Sequence, residues 1–209
     1  PKMVYISNPT EVGTIYSKAE LTALSETCHK YGLYLFLDGA RLGYGLAAPD
    51  NDLTLPEIAA LCDVFYIGGT KVGALFGEAV VIKNPELAQD FRYLIKQNGG
   101  MLAKGRLLGL QFDALFTDGL YQEISAHAIA MAEKLREAFT AKGYNYLAPN
   151  RTNQIFVIVP DAHLAKISEQ FEYSYDQRID ATHSCVRFCT SWATKEENVD
   201  ALIRCVEKL

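Results

Sequence analysis

Apolar residues along the chain change their spacing several times, and each change marks an element. Residues 3–7 form a short apolar run that Asn8-Pro9-Thr10 breaks, which predicts a short buried strand. Ser17-Lys18-Ala19-Glu20 has the form of a capping box, in which the Ser and Glu side chains satisfy free N–H groups at a helix start. Leu21, Leu24, Cys28 and Tyr31 then recur at helical spacing as far as Gly32, a natural stop. Residues 33–37 are continuously apolar between Gly32 and Asp38, which predicts a strand buried on both faces. The grammar repeats. Thr54-Leu55-Pro56-Glu57 opens a helix with Pro in its first turn. Residues 64–67 form a buried strand ended by Gly68-Gly69, and residues 79–82 form another. Strands alternating with helices predict an α/β sheet, parallel in part.

The later half follows a different pattern. Residues 85–97 and 101–116 read as helices, and residues 120–142 as one long amphipathic helix with Ile124, Met131, Leu135 and Phe139 inward. Residues 154–159 and 185–190 read as strands. Thr194-Lys195-Glu196-Glu197 caps a last helix carrying Val199, Leu202, Ile203 and Val206. Fewer and more widely spaced strands predict a second, smaller α/β domain. The division expected is residues 1–100 in a larger α/β domain, 101–120 as a connecting helix, and 121–209 as the small domain.

Composition narrows the function without choosing it. The 209 residues suffice for one large or two small domains. A net charge of −5 with no dense Lys/Arg run argues against nucleic acid as a partner. No apolar stretch approaches the roughly 20 residues of a membrane span, so no membrane partner is expected. No signal-peptide pattern opens the chain. Cys28, Cys62, Cys185, Cys189 and Cys205 are odd in number and scattered, as for free thiols in a reducing, cytoplasmic setting. The C-x3-C pair at 185 and 189 has no second pair, and the four histidines lack ligand spacing, so no metal is expected. The chain opens at Pro1-Lys2-Met3, directly before a strand, which predicts a piece of a longer protein.

Two polar clusters fall at strand ends, where α/β sheets bind ligands. Asp38-Gly39-Ala40-Arg41 follows one strand and Gly69-Thr70-Lys71 another. An acid, an Arg and a Lys facing one crevice are a promising chemical set. Position alone leaves alternatives, since Asp before Gly also caps turns and Arg41 also suits a surface pair with Asp38. The phosphate-loop pattern is absent, because Val72 stands where its hydroxyl residue belongs. Gly39, Gly43 and Gly45 do not form the dinucleotide fingerprint either.

Leu35-Phe36-Leu37-Asp38-Gly39-Ala40-Arg41-Leu42 resembles the D-G-A-R motif of threonine aldolases and related β-eliminating lyases, which are fold type I, aspartate-aminotransferase-like enzymes dependent on pyridoxal 5'-phosphate (PLP). Phe65-Tyr66-Ile67-Gly68-Gly69-Thr70-Lys71 resembles their cofactor-lysine segment. Tyr5 to Thr14 is similar to the stretch preceding these motifs, and Val186-Arg187-Phe188-Cys189-Thr190-Ser191-Trp192 to the Arg-bearing strand of their small domain. The matches run in order over nearly the whole chain.

The resemblance implies a fold and a set of roles. The fold is part of a PLP-binding large domain with a mostly parallel sheet, followed by a small C-terminal α/β domain. Lys71 matches the lysine that holds the cofactor covalently. Asp38 matches the acid that keeps the ring nitrogen protonated. Arg187 matches the clamp on the substrate carboxylate, and Arg41 its companion near the cofactor. Asn8 and Thr70 are implied to orient substrate and cofactor. Lys96 and Lys104 flank Gly99-Gly100-Met101, similar to a stretch whose basic residues approach the cofactor phosphate. The implied substrate is a small amino acid, the implied reaction is cleavage of β-hydroxy-α-amino acids such as threonine to glycine and an aldehyde, and the implied assembly is a homo-oligomer. Sister reactions on this fold, β-elimination or transamination, and a folded but non-catalytic piece are the alternatives. The family's upstream segment supplies the aromatic residue stacked on the cofactor and a phosphate-binding loop. Neither motif precedes Pro1 here, so weak or no PLP binding by these residues alone is expected, with an exposed sheet edge.

Overall fold

The computed structural model describes residues 1–209. In chain order the elements are β1 (Met3–Ser7), α1 (Lys18–Lys30), β2 (Tyr34–Asp38), α2 (Leu42–Leu46), α3 (Leu55–Leu61), β3 (Val64–Gly68), β4 (Glu78–Ile82), α4 (Pro85–Ala88), α5 (Phe91–Gln97), α6 (Arg106–Phe116), α7 (Leu120–Ala141), β5 (Asn145–Tyr146), β6 (Gln154–Pro160), α8 (Asp161–Ile167), β7 (Ser174–Arg178), β8 (His183–Cys189) and α9 (Glu196–Glu207). The first sheet has the order β1-β2-β3-β4. Its first three strands run parallel and β4 turns back antiparallel on β3. The second sheet, β5-β6-β8-β7, is antiparallel throughout.

Local chemistry explains most of these boundaries. Ser17 and Glu20 form the capping box that starts α1, and Thr54 and Glu57 form a second at α3. The expected helix over 85–97 is two helices, because Asp90 adopts a left-handed conformation (φ 57°) between them. The helix expected from residue 101 starts only at Arg106. Gly105 sits at its N-cap, and glycine pays more backbone entropy than other residues to enter a helix. The last helix is not capped by Thr194. That hydroxyl accepts the Ser191 N–H instead, and Lys195 takes the N-cap position without a side-chain bond. Four elements lay outside the expected set. The α2 segment contains Gly43 and Gly45, poor helix formers; β5 is only two residues long; α8 is only seven residues long; and β7 is exposed and polar along its length.

Two apolar clusters form the interior. The first joins Ile6, Leu35, Leu37, Phe65 and Ile67 of the parallel strands to Leu21, Cys28 and Ile58 of α1 and α3. The second joins Ile155, Val157, Val159, Val186 and Phe188 of the antiparallel sheet to Val199, Leu202 and Val206 of α9. Helix α7 belongs to both. Tyr121, Ala128 and Ile129 enter the first cluster, whereas Met131, Leu135 and Phe139 enter the second. The loop after β1 is also tied to the second half, since Asn150 Nδ2 donates to Val12 O (2.8 Å) and Thr152 Oγ1 to Gly13 O (2.9 Å).

Strand β2 is not buried on both faces. Leu35 and Leu37 are covered, but Tyr34 and Phe36 are only half-buried. Helices α1, α3 and α7 pack on one face alone. The other face carries Met3, Phe36, Val64, Val80 and Ile82 in an open, wholly apolar hollow closed at one side by Leu87 and Phe91. At one edge of this sheet β1 pairs only with β2.

Phe139 is fully buried and meets both Tyr144 and Phe188. Phe139→Ala is expected to destabilise the chain by roughly 3–5 kcal/mol, the range for removing a buried aromatic ring. Urea denaturation measures this, and a loss below about 1 kcal/mol would contradict the packing described.

Candidate functional site

Parallel pairing puts the carboxyl ends of β1, β2 and β3 at one edge of the sheet, so the turns that follow them are neighbours. The turns after β2 and β3 touch directly. The Gly68 N–H donates to Gly39 O at 2.8 Å. A Cβ on Gly39 would lie 1.9 Å from Tyr66 O, and one on Gly68 would lie 2.2 Å from Ala40 O. Two glycines therefore permit the close approach. The loop after β1 joins the same edge, because the Asn8 N–H donates to Asp38 O at 2.9 Å.

Asp38 ends β2 between two tyrosines. Tyr5 donates its hydroxyl to Asp38 Oδ2, and the Ala40 N–H donates to Oδ1 at 2.9 Å. Burial opposes ionisation of this carboxyl. The hydroxyls of Tyr5 and Tyr66, the Ala40 amide and the charge of Lys71 outweigh it, and the pKa is held below the usual carboxylate value. Burial and then the adjacent carboxylate push the Tyr66 phenol up. For Tyr5 the bond to Asp38 is the main cause of a raised pKa. Both phenols thus stay protonated as donors.

Lys71 lines a cavity of about 310 Å³ with Arg41, Thr70, Asn153, Cys189 and Trp192. No carboxylate lines it. Tyr44 anchors the Lys71 segment: its buried hydroxyl donates to Lys71 O and accepts the Trp192 N–H at 3.4 Å. Burial pushes the Tyr44 phenol up to about 12, so it remains a donor. Thr70 donates its hydroxyl to Glu78 Oε1 at 2.7 Å, which fixes the turn before Lys71. Arg41 faces Glu11 at 3.8 Å. The Cys189 thiol is raised by burial, while Arg187, Arg41 and Lys71 pull it down, so three cations lie around one end of β8.

Arg187 lies on β8 and lines a neighbouring cavity of about 350 Å³, which shares Cys189 and Thr190 with the first. Its guanidinium packs over Phe156 (5.9 Å to the ring centre) and donates to Gln154 Oε1 at 3.2 Å. Asn8 is buried, and its Oδ1 accepts the Tyr16 N–H at 3.2 Å. Asp38, Arg41, Thr70, Lys71 and Asn8 therefore share one sheet edge, and Arg187 approaches it from the second sheet. Lys96 and Lys104 are not brought to this edge. They are exposed in α5 and in the turn before α6, outside both cavities.

Sequence reading missed Tyr5, Tyr66, Tyr44 and Gln154. The parity of residues on paired strands could have found the first two, since Tyr5 and Tyr66 share a face with Asp38. Tyr44 and Gln154 left no such signal, because their partners are distant in the chain.

Residues 1–162 match the family model described as beta-eliminating lyase. A low specificity L-threonine aldolase of Pseudomonas sp. (strain NCIMB 10558) is 34% identical over 206 residues, covering 97% of this chain and 58% of that protein. Its counterpart in Pseudomonas aeruginosa is 32% identical over 205 residues, with 98% and 58% covered. The solved threonine aldolase of Leishmania major superposes with a TM-score of 0.98 at 45% identity, covering 100% of this chain and 61% of that one. A Thermus thermophilus aspartate aminotransferase mutant, 17% identical with a TM-score of 0.69, covers 100% of this chain and 57% of that one and shows the shared fold alone. The chain thus spans about three fifths of the length of these proteins. With the ordered motifs, the parallel sheet and the antiparallel second sheet all accounted for, the chain belongs to the beta-eliminating lyase family of fold type I, PLP-dependent enzymes.

Proposed function

We propose that this chain carries the cofactor-lysine and substrate-carboxylate side of a PLP-dependent aldehyde-lyase, one that cleaves β-hydroxy-α-amino acids such as threonine to glycine and an aldehyde. The threonine aldolase relatives support the reaction. The observation that carries the reading for these residues is the backbone contact between the Gly39 and Gly68 turns, which sets Lys71 beside Asp38. The donor set fits the cofactor: a lysine amine, a carboxylate held ionised, and a cavity bounded by cations and free of acids. When bound, PLP supplies an electron sink for the charge that develops at the substrate α-carbon.

In this reading Lys71 offers its amine as the covalent tether, and the Tyr44 bond to its carbonyl keeps that backbone in place. Asp38 presents a negative charge to the ring nitrogen and keeps a proton there. Thr70 holds the turn through Glu78. Arg187 and Arg41 take the substrate carboxylate, and Asn8 fixes the loop beside it. Lys104 lies away from this edge, so we assign it, on resemblance alone, to the cofactor phosphate of a partner subunit's site. The division into residues 1–100, 101–120 and 121–209 belongs to the same proposal, as does a homo-oligomeric parent protein, supported by the open apolar face of the first sheet. A cytoplasmic setting is proposed from five free cysteines. No helix is long and apolar enough to cross a membrane.

The parent protein, with its upstream segment present, is expected to give a yellow adduct with PLP that borohydride fixes to Lys71, with Lys71→Ala of the same protein remaining colourless and unlabelled on peptide mapping. Labelling of the Lys71→Ala protein to the same extent would refute the assignment. Glycine plus aldehyde, as against pyruvate plus ammonia, separates aldol cleavage from elimination in a substrate panel.

Asp38 also gives a pH dependence with a definite sign. Its folded pKa is depressed, so the stabilisation tied to its charge is complete above the unfolded value of about 3.9 and is lost as pH falls through the folded value. Tyr5→Phe removes one donor and is expected to raise the Asp38 pKa, moving that loss to higher pH. Carboxyl ¹³C chemical shifts followed from pH 7 downward measure it; an unchanged midpoint would show that the Tyr5 bond does not hold the charge.

A further inference from the structure

Gln154 is a fully buried polar side chain at the start of β6, directly opposite Cys189 on β8. Its amide is spent in two directions. Oε1 accepts from Arg187 Nη1 at 3.2 Å and from the Cys189 thiol at 3.9 Å. Nε2 donates to Glu11 O at 3.3 Å. Reversing the amide would set donor against guanidinium and oxygen against carbonyl, so its orientation is determined by its partners. A glutamine is the side chain that can bridge a guanidinium and a backbone carbonyl in this way without adding charge.

The lack of charge is the informative part. Every ion pair of Arg41, Arg136, Arg151 and Arg178 in the structure has a carboxylate, whereas Arg187 has none. Its guanidinium rests on the Phe156 ring and on a neutral amide. It is held in orientation with no carboxylate at ion-pair distance, and it lines the neighbouring cavity, whose lining also includes Glu172. Glu11 completes the connection. Its carbonyl is bound by Gln154 and its carboxylate faces Arg41, so one residue of the loop after Asn8 touches the support of one guanidinium and faces the other directly.

We propose that Gln154 is the positioning residue of the Arg187 guanidinium: it orients the cation for an α-carboxylate without neutralising it, and through Glu11 it ties that grip to the loop carrying Asn8. This rests on the reading of Arg187 as the carboxylate clamp. A carboxylate at position 154 would compete with the substrate for the same N–H groups. An apolar side chain there would leave the guanidinium unsupported and the Glu11 carbonyl without its donor.

The test uses the 209-residue chain with glycine as the carboxylate probe, followed through the arginine Nε–H signals in ¹⁵N NMR. Loss of a signal in Arg187→Lys identifies Arg187. Glycine is expected to move that signal saturably in the unmodified chain, and Gln154→Met to weaken binding several-fold. Gln154→Glu keeps the side-chain shape. Its affinity for glycine is expected to match the unmodified chain at low pH and to fall as the new carboxyl ionises, from about pH 4 upward, while the unmodified chain stays flat. A purely structural role would not create that pH profile, and the profile decides the matter even if Gln154→Met fails to fold. Unmodified affinity and a flat profile in Gln154→Glu, with binding lost in Arg187→Lys, would overturn the role of Gln154 alone. No saturable movement in the unmodified chain, or equal binding by Arg187→Lys, would instead overturn the reading of Arg187.

Discussion

Two glycines in van der Waals contact decide the geometry of this site. Gly39 and Gly68 bring the carboxyl ends of β2 and β3 together so closely that no side chain fits between the backbones. The Gly68 N–H bond to Gly39 O seals the contact. Everything polar at this edge depends on it. Asp38 and Arg41 hang from one turn and Thr70 and Lys71 from the other, so a shift of either turn would separate the amine from the carboxylate. The parallel pairing of β1 with β2 then adds the Asn8 loop to the same edge.

The electrostatics follow from what surrounds each group. Asp38 sits among hydroxyl and amide donors beside a cation, which stabilises its charge against partial burial. The Lys71 cavity lacks acids altogether, and Arg187 rests on a ring and an amide. Asp38 is therefore held ionised at the edge, beside a Lys71 cavity that no carboxylate lines. The proposed grip on an amino acid's carboxylate uses Arg187, and that on the cofactor's ring nitrogen uses Asp38. The second sheet contributes its part through backbone-scale links: Tyr44 to Trp192, Asn150 and Thr152 to the loop after β1, and helix α7 through both cores.

Elements with strong local signals were legible in the chain. The capping boxes at Ser17 and Thr54 form as their residue types dictate, and the apolar periodicity of α7 places Met131, Leu135 and Phe139 inside. Where local signals were weak or misleading, other physics decided. A helix expected across 85–97 breaks at Asp90, and α2 forms despite two glycines because the α7 residue Tyr121 donates its hydroxyl to Gly68 O and accepts the Gly43 N–H. Strand β2 read as doubly buried because an apolar run carries no information about which of its faces is covered. Here α1, α3 and α7 cover one face only.

The residue order by itself determined the α/β class, the family likeness, and the candidates Asp38, Arg41, Lys71 and Arg187, because strand-end motifs are local in sequence and their chemistry is carried by residue type. Tertiary structure alone decided which groups hold those candidates. Tyr5 on Asp38, Tyr44 on the Lys71 carbonyl and Gln154 under Arg187 act across separations of 33, 27 and 33 residues. It also left Lys96 and Lys104 away from the edge. Contacts between residues far apart in the chain depend on the relative placement of whole strands, and spacing along a sequence does not encode that placement.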